Sequence, residues 1–358
     1  MLEGCLLRLK HIIFFSLGCC ARVLIRIIVI LLISIQYCSL ISSVEASITV
    51  KEKKYIGLDE IADLWGMQIA WTQRDKVVQL KSYWSTLEFS AGKHDCTIRG
   101  IRVFLVGPAF LHKQWLYISE QDFLYTLSPI MTPQIFRDQV SGSYVSDKRK
   151  KHIVIDPGHG GRDRGAQSPS HKSKLEEKKL TLELAWTLKS ILESTGHRVS
   201  LTRSCDEYIE LVNRVRNANE LRADLFISLH FNSAQNPNAS GVETYALTLP
   251  LEKSTGKSVL PNADKKKFLG NRNNPWNLLL AYHVQEHMCK QLLAYDRGVK
   301  RARFKVLKDL KCPGVLIESG FLSNSQEAEI ISTSSYRNRI AQAIADGIAC
   351  YNDRVQEL

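Results

Sequence analysis

A chain of 358 residues has room for two domains and a tail. With 44% hydrophobic and 23% charged residues it is neither a disordered polymer nor a fibre. The formal net charge of +12 favours anionic partners, whether nucleic acid, anionic lipid or an anionic polymer; no nucleic-acid motif and no basic run interleaved with aromatics is present, which sets nucleic acid aside.

The first 46 residues read as a targeting segment. A basic region ending at Arg26 precedes the apolar stretch Ile27 to Ile41, and Val44-Glu45-Ala46 resembles an A-x-A cleavage site. The apolar run is shorter than the ~20 residues of a membrane span. A cleaved signal peptide and export to the periplasm or cell envelope are therefore expected, with a retained inner-membrane anchor as the alternative. Cleavage would leave Cys96, Cys205, Cys289, Cys312 and Cys350, an odd number with no C-x-x-C spacing. That pattern argues against a cysteine zinc knuckle or a thioredoxin-like pair and makes free buried thiols the default.

Residues 47 to 145 are expected to form a small α+β domain with an internal echo. Tyr55-Ile-Gly57-Leu58-Asp59-Glu60-Ile61 leads into a helix ending near Trp65-Gly66, and Tyr117-Ile118-Ser119-Glu120 repeats the arrangement. Each places a glycine or an acceptor just before an acidic first turn. Between them, Met67 to Thr72 and Val77 to Leu80 alternate as strands about a turn at Gln73 to Lys76. This part resembles the small repeat-like domain named after the amino terminus of copper amine oxidases. The resemblance implies a spacer or wall-binding module without copper. Trp65, Trp71, Trp84 and Trp115 are assigned to packing ahead of sugar stacking. Gly142, Ser143 and the basic residues of 146–151 read as a linker.

From residue 152 to 358, strands alternate with helices, which predicts an α/β domain: a mostly parallel mixed sheet with helices on both faces. The β-branched run Ile153-Val154-Ile155 stops at Asp156-Pro157, and a turn built on Gly158, Gly160 and Gly161 presents His159. A polar loop, Arg162 to Lys174, leads to Glu176-Glu177 at the start of a helix in which Leu180, Leu184, Leu188, Ile191 and Leu192 recur at helical spacing. Arg198 to Thr202 is a short strand and Asp206 to Leu221 a helix. Asp224 to Leu229 is a buried strand ending in His230-Phe231-Asn232, and Pro313 to Ile317 runs into Glu318.

Ligands of such sheets lie beyond the carboxyl ends of the strands. His159, Glu177 and His230 can therefore converge, and two imidazoles with one carboxylate leave a fourth tetrahedral position open, as catalytic zinc requires. A glutamate in the first helical turn is otherwise only a complement to the helix dipole. A carboxylate ending a core strand is costly without a partner or a task; Glu318 beside a metal can act as general base.

Asp156-Pro-Gly-His-Gly-Gly161, Glu177 with its helix, Arg214 with Asn219, Asp224 to Asn232, Gly241-Val-Glu-Thr-Tyr245, Asp296-Arg-Gly-Val299 and Leu316-Ile-Glu-Ser-Gly-Phe-Leu-Ser-Asn324 occur in this order. Together they resemble the zinc N-acetylmuramoyl-L-alanine amidases of the type-3 family over residues 152 to 353. The resemblance implies one catalytic Zn2+ bound by His159, Glu177 and His230, with Glu318 as the catalytic glutamate. Glu176 is adjacent to Glu177, and only register prefers the latter. The implied substrate is peptidoglycan, cut between the lactyl group of muramic acid and the first L-alanine of the stem peptide. Asn232, Gly160 and Gly161 are assigned to substrate positioning.

Two other classes remain beside this reading. Another zinc peptidase of the wall would use the same metal chemistry and differ in its products. A non-enzymatic peptidoglycan-binding scaffold is opposed by the joint presence of His159, Glu177, His230 and Glu318. His283-Val-Gln-Glu286-His287 matches the H-x-x-E-H pattern of inverted zincins, but Leu280, Val284, Met288 and Leu292 make an apolar stripe on the same helix, so ordinary boundary histidines are expected. Cys312 is expected to be packed. Residues 249–276 form a polar, lysine-rich insert, and loops this long are usually functional or mobile. The resemblance adds an expectation beside a plain mobile loop: some relatives carry in a comparable place an element that covers the zinc until an activator partner withdraws it, and Glu252 and Asp264 would be the carboxylates capping the metal. The helices of Gln326 to Tyr351 are assigned no chemistry.

Overall fold

The computed structural model describes residues 47–50, 52–139, 150–169 and 174–357. The targeting segment with Val44-Glu45-Ala46, and Gly142-Ser143 with residues 146–149 of the linker, lie outside the described residues. Residues Ile48–Leu358 form one compact unit. Its amino-terminal portion, a small β-rich domain, contributes β1 (Ile48–Val50), β2 (Lys53–Gly57), β3 (Gln68–Gln73), β4 (Val77–Lys81), β5 (Thr86–Ser90), β6 (Asp95–Ile98), β7 (Ile101–Phe104), β8 (Phe110–His112) and β9 (Trp115–Ser119), with helix α1 (Leu58–Trp65). From His152 come β10 (His152–Pro157), β11 (Arg198–Leu201), β12 (Leu225–Asn232), β13 (Val242–Leu247), β14 (Asp296–Ala302) and β15 (Gly314–Phe321). The helices among them are α2 (Glu177–Ser194), α3 (Leu211–Glu220), α4 (Asn274–Leu292), α5 (Ser325–Ser332) and α6 (Ser334–Gln356).

A four-stranded sheet has the order β1-β2-β9-β8, and an eleven-stranded sheet the order β11-β10-β12-β15-β13-β14-β7-β6-β5-β4-β3. Strands β11, β10, β12 and β15 are parallel, while β13 is antiparallel to β15 and parallel to β14. Strand β7 joins β14 through Val299 and Val103, and β7 to β3 continue as an antiparallel meander. The β-rich domain thus extends the catalytic sheet itself. The Arg102 backbone N–H donates to the Asp296 carboxylate at 2.7 Å, and the Tyr282 hydroxyl donates to the Ile98 carbonyl at 3.0 Å across the same junction.

The two halves of the sheet bury their side chains differently. In the meander, Val78, Leu80, Leu87, Phe89, Cys96, Ile98 and Val103 are buried while Gln79, Glu88, Thr97 and Arg102 are half-exposed. This is the period of two for a sheet packed on one face. Strands β10 and β12 are buried without interruption over Ile153–Ile155 and Leu225–Leu229, as parallel strands covered on both faces must be. The connections β10-α2-β11 and β11-α3-β12 run in opposite directions along the sheet, so right-handed crossovers put α2 and α3 on opposite faces. Leu180, Leu184, Leu188 and Leu192 seat α2, each contributing ~1.5–3 kcal/mol by leaving water. On the other face Val215 and Ala218 of α3 meet Val154, Phe226 and Leu316.

Helix α3 is shorter than the expected Asp206–Leu221, starting at Leu211 with Glu210 as its cap. The Asp206 carboxylate accepts from the Gly161 N–H at 2.8 Å and from Lys178 Nζ at 2.6 Å. Those bonds tie residues before Glu210 to the His159 loop and keep them out of the helix. His230 and Glu318, expected at strand ends, lie within β12 and β15 and face each other in register.

Candidate metal centre and active site

His159 sits just past β10 with φ of 62°, a left-handed conformation rarely taken by a non-glycine residue. Two buried arginines hold the loop there. Arg214 donates to the carbonyls of Pro157 and His159, both at 2.7 Å, and pairs with the Asp156 carboxylate at 2.8 Å. Arg203 donates to the carbonyls of Pro157 (3.0 Å), Gly158 (2.8 Å) and Lys178 (2.7 Å), linking the histidine turn to the first turn of α2. Asp156, also buried, accepts from Thr202 and Ser228 hydroxyls. The strain at His159 is thus offset by hydrogen bonds from two buried guanidinium groups.

Glu177 opens α2 and is buried between both histidines. His159 Nε2 lies 3.1 Å from its Oε2 and His230 Nδ1 2.9 Å from its Oε1. Backbone N–H groups of Ala166 (2.7 Å) and Phe231 (3.0 Å) donate to the same two oxygens and fix the carboxylate plane. The imidazole rings stand edge to face with centroids 5.0 Å apart. One ligand atom from each of His159, Glu177 and His230 lies within 4.8 Å of the others. His159 Nδ1 is engaged by Asp163 at 2.9 Å, which orients the ring and leaves Nε2 for the centre, as carboxylates behind metal-ligating histidines do. Burial alone would raise the Glu177 pKa, but the two histidines outweigh it and hold it down to about 2. Burial alone would lower His159, and Glu177 with Asp163 raise it instead. Glu176 faces away, pairing with Arg164 and Lys179, so the geometry favours Glu177.

The glycines around this cluster are explained by close contacts. A Cβ on Gly158 would stand 2.4 Å from the His230 ring, and one on Gly165 would stand 2.5 Å from Glu177 Oε2 and 2.6 Å from His159 Cδ2. Gly165, not singled out in the sequence, lines the cluster directly. Gly160 and Gly161, expected to position substrate, are packed against the backbone of Glu207 and Tyr208, where a Cβ would come within 2.0 and 2.7 Å.

Glu318 pairs in the sheet with His230 on one side and Glu243 on the other. Its Oε2 is buried without a hydrogen-bond partner. Burial first, then the charges of Glu177 and Glu243, push its pKa well above the ordinary glutamate value. Glu243 has the opposite environment. Burial would raise it too, but Lys300, the Tyr245 hydroxyl (2.8 Å) and Arg297 (3.1 Å) keep it below the usual range. Asn232 Nδ2 donates to Glu243 Oε1 at 2.7 Å, so this expected positioning residue braces a carboxylate inside the site. Glu243 itself was present in the Gly241–Tyr245 segment without an assigned role; nothing in its own spacing marks it.

The structure does not bring Glu252 or Asp264 to this site. Strands β13 and β14 run against β15, so the insert that follows β13 leaves from the opposite end of the sheet. Glu252 pairs there with Lys53 at 2.8 Å and Asp264 with Lys308 at 2.9 Å. Arg303 holds the Leu249 and Glu252 carbonyls. The lid expectation is corrected accordingly, because these carboxylates are engaged by cations at the opposite end of the sheet from His159, Glu177 and His230. His283 is buried in α4, bonded through Nδ1 to Glu286 (3.3 Å) and to the Cys350 thiol (3.4 Å), and His287 meets Gln291 instead. Cys312 is packed, and burial pushes its thiol up to about 12. All five described cysteines are free.

The sequence pattern described as N-acetylmuramoyl-L-alanine amidase matches residues 153–350. The chain belongs to this family of peptidoglycan amidases. The amidase AmiA of Escherichia coli K12 is 31% identical over 223 residues, covering 56% of this chain and 76% of AmiA. AmiC of Neisseria meningitidis serogroup B is 34% identical over 223 residues, covering 57% of this chain and 53% of AmiC; the chain thus spans about half of that relative. The catalytic domain of the amidase CwlV from Bacillus (Paenibacillus) polymyxa var. colistinus is 33% identical, covering 57% of this chain and 98% of that domain, with a TM-score of 0.47. The family match leaves the β-rich domain of this amidase outside it.

Proposed function

We propose that this amidase hydrolyses the bond between N-acetylmuramic acid and the L-alanine of the stem peptide with one Zn2+ held by His159, Glu177 and His230. The observation that carries the reading is the convergence of these three groups, from three separate elements, beside the unpartnered Oε2 of Glu318. Two imidazoles and a carboxylate fit zinc with one open position. When bound, the ion supplies Lewis-acid polarisation of the scissile carbonyl and acidifies the attacking water.

The chain's own residues do the rest. Asp163 holds the His159 ring, and the N–H groups of Ala166 and Phe231 hold Glu177. Glu318 Oε2 takes the proton from the attacking water and returns it to the departing L-alanine nitrogen. That oxygen makes no hydrogen bond to the described residues, which leaves it available for both transfers. Glu243, held anionic by Lys300 and Arg297, keeps a fixed charge beside it.

Residues 1–46 are read as the export signal that delivers the enzyme to its polymer. Among the described residues no helix is long and apolar enough to cross a membrane. An activator working through the 249–276 insert would have to act from the far end of the sheet, and none is proposed. The test is the purified chain on sacculi, with and without chelator, beside Glu318→Ala. Release of intact stem peptides with a free L-alanine amino terminus, abolished by chelator and by the substitution, is the expected result. Chelator-resistant release, or full activity in the variant, would overturn the mechanism.

A further inference from the structure

The insert that does not reach the metal ligands carries a concentrated positive charge. Residues 249–276 hold six cations and two acids, and both acids are already neutralised, Glu252 by Lys53 at 2.8 Å and Asp264 by Lys308 at 2.9 Å. Lys253, Lys257, Lys265, Lys266, Lys267 and Arg272 are all exposed. The two halves of the insert are fastened to one neighbouring segment. The Thr255 N–H donates to the Arg301 carbonyl at 2.9 Å, and the Arg301 N–H donates to the Thr255 hydroxyl at 3.0 Å. Farther along, Lys266 and Lys308 lie over the two sides of contact with the Phe268 ring, 5.3 and 4.7 Å from its centroid, and Asn273 donates to the Lys311 carbonyl at 3.3 Å. Lys305 and Lys311 of that segment are exposed as well. These cations are therefore gathered into one field, and such self-repulsion costs stability unless an anionic partner relieves it.

Two apolar side chains stand in water within this field. Leu251 is 66% exposed and Val259 69%. Leu251 also has φ of 62°, a left-handed conformation that a bulky side chain rarely takes. Arg303 holds the turn in that state by donating to the carbonyls of Leu249 (3.0 Å) and Glu252. Backbone strain that is clamped in place while it turns a leucine outward points to a use outside the fold.

We propose that the insert is a membrane-docking face: its lysines take the anionic headgroups of a lipid surface, and Leu251 and Val259 enter the interface among them. Clustered lysines are drawn to anionic leaflets, and apolar side chains between them add burial at the headgroup boundary. Charge alone would suit any polyanion, but a polymer held by its charges has no use for Leu251 and Val259. The aromatics of the insert, Phe268 and Trp276, are buried, so no ring is offered on which a nucleic-acid base could stack. The chain path fits a lipid surface too. Strand β1 pairs with β2, and Lys53 of β2 meets Glu252, so the chain that follows the apolar stretch Ile27 to Ile41 enters the fold beside this face. Because β13 runs antiparallel to β15, the face lies at the sheet end opposite His159, Glu177 and His230. Docking there leaves the metal ligands open to substrate.

The test floats the chain lacking residues 1–46, which keeps the whole compact unit, with lipid vesicles. It should bind vesicles of phosphatidylglycerol mixed with phosphatidylcholine, be released as salt rises, and ignore vesicles of phosphatidylcholine alone. Lys265→Gln, Lys266→Gln and Lys267→Gln together should weaken binding ~10–100-fold, and arginine at the same three positions should retain it. Leu251→Asn with Val259→Asn should weaken it about tenfold without lowering the melting temperature, since asparagine accepts a left-handed backbone more readily than leucine. Cleavage of a soluble muramoyl-L-alanyl peptide should be the same in every variant. Absent binding, equal binding to both kinds of vesicle, or unchanged binding in either the glutamine or the asparagine variant overturns the proposal. So does loss of binding to soluble poly(glycerol phosphate), or of a dimer in light scattering, with vesicle binding intact. A changed rate on the soluble peptide overturns it as well. Flotation needs no peptidoglycan, so failure of the amidase reading shows separately, as absence of stem-peptide release by the unsubstituted chain.

Discussion

Among the described residues two places offer two histidines and a glutamate, and one of them gathers its ligand atoms as a metal centre would. His159, Glu177 and His230 come from a turn, a helix start and a strand, and the nearest ligand atoms face one another across the carboxylate. His283, Glu286 and His287 sit together on α4, where His283 spends its Nδ1 on Glu286 and Cys350 while His287 points to Gln291. Close spacing on one helix fills the hydrogen-bonding capacity of such groups internally. Convergence from separate elements leaves ring nitrogens aimed at a shared point, with carboxylates such as Asp163 behind them.

The sharpest way to break this contrast is Glu318→Gln. It should reduce kcat on sacculi by ~10²–10⁴-fold while zinc content, measured by elemental analysis, stays that of the unsubstituted chain. Next, Asp163→Ala should weaken zinc binding ~10–100-fold in a competitive chelator titration, whereas His287→Ala should leave zinc affinity and activity unchanged. His283→Ala should leave zinc content intact and lower stability by ~1–3 kcal/mol in denaturant titration, since it removes a buried hydrogen-bonded group. Comparable zinc loss in His283→Ala and Asp163→Ala would erase the distinction.

Smaller effects concern protons. Glu243→Gln removes one of the charges that raise Glu318. Because the base works only when deprotonated, the acid limb of the kcat/KM profile should move to lower pH; a shift upward would contradict the charge coupling. Glu286 is held down to about 2: burial opposes this, and His283 with Lys290 outweighs it. Its stabilisation is therefore full above the ordinary carboxyl range and lost as pH falls from about 4.5 toward 2. Lys290 is 61% exposed, so solvent screening limits the contribution to ~1 kcal/mol. Glu286→Gln should flatten that part of the acid-unfolding curve.

The local patterns of the catalytic half were legible for a physical reason. A β-branched run ending in Asp156-Pro157, leucines at helical spacing after Glu177, and buried strands before His230 and Glu318 each follow from short-range periodicity. Glu177 was preferred to Glu176 by that same register, and the structure buries Glu177 while Glu176 faces cations. Long-range pairing was not legible. The braces Arg203, Arg214 and Glu243 act across 46, 58 and 54–57 positions of chain, distances over which no periodicity speaks. The 249–276 insert was given a lid as one expectation because some relatives of the family carry one in a comparable place, and the direction of β13 was not visible.

By itself, then, the sequence singled out His159, Glu177, His230 and Glu318 as candidates, because metal ligands and a general base are limited to few side chains and their strand-end positions recur in the pattern. Tertiary structure alone decided three other matters. The antiparallel turn of β13 against β15 put the insert at the wrong end to cover the metal ligands. Pairing of β7 with β14 fused the β-rich domain to the catalytic sheet. The path of the β4–β5 turn left Trp84 exposed where packing was expected, since the short-range pattern does not say which side chains the core reaches.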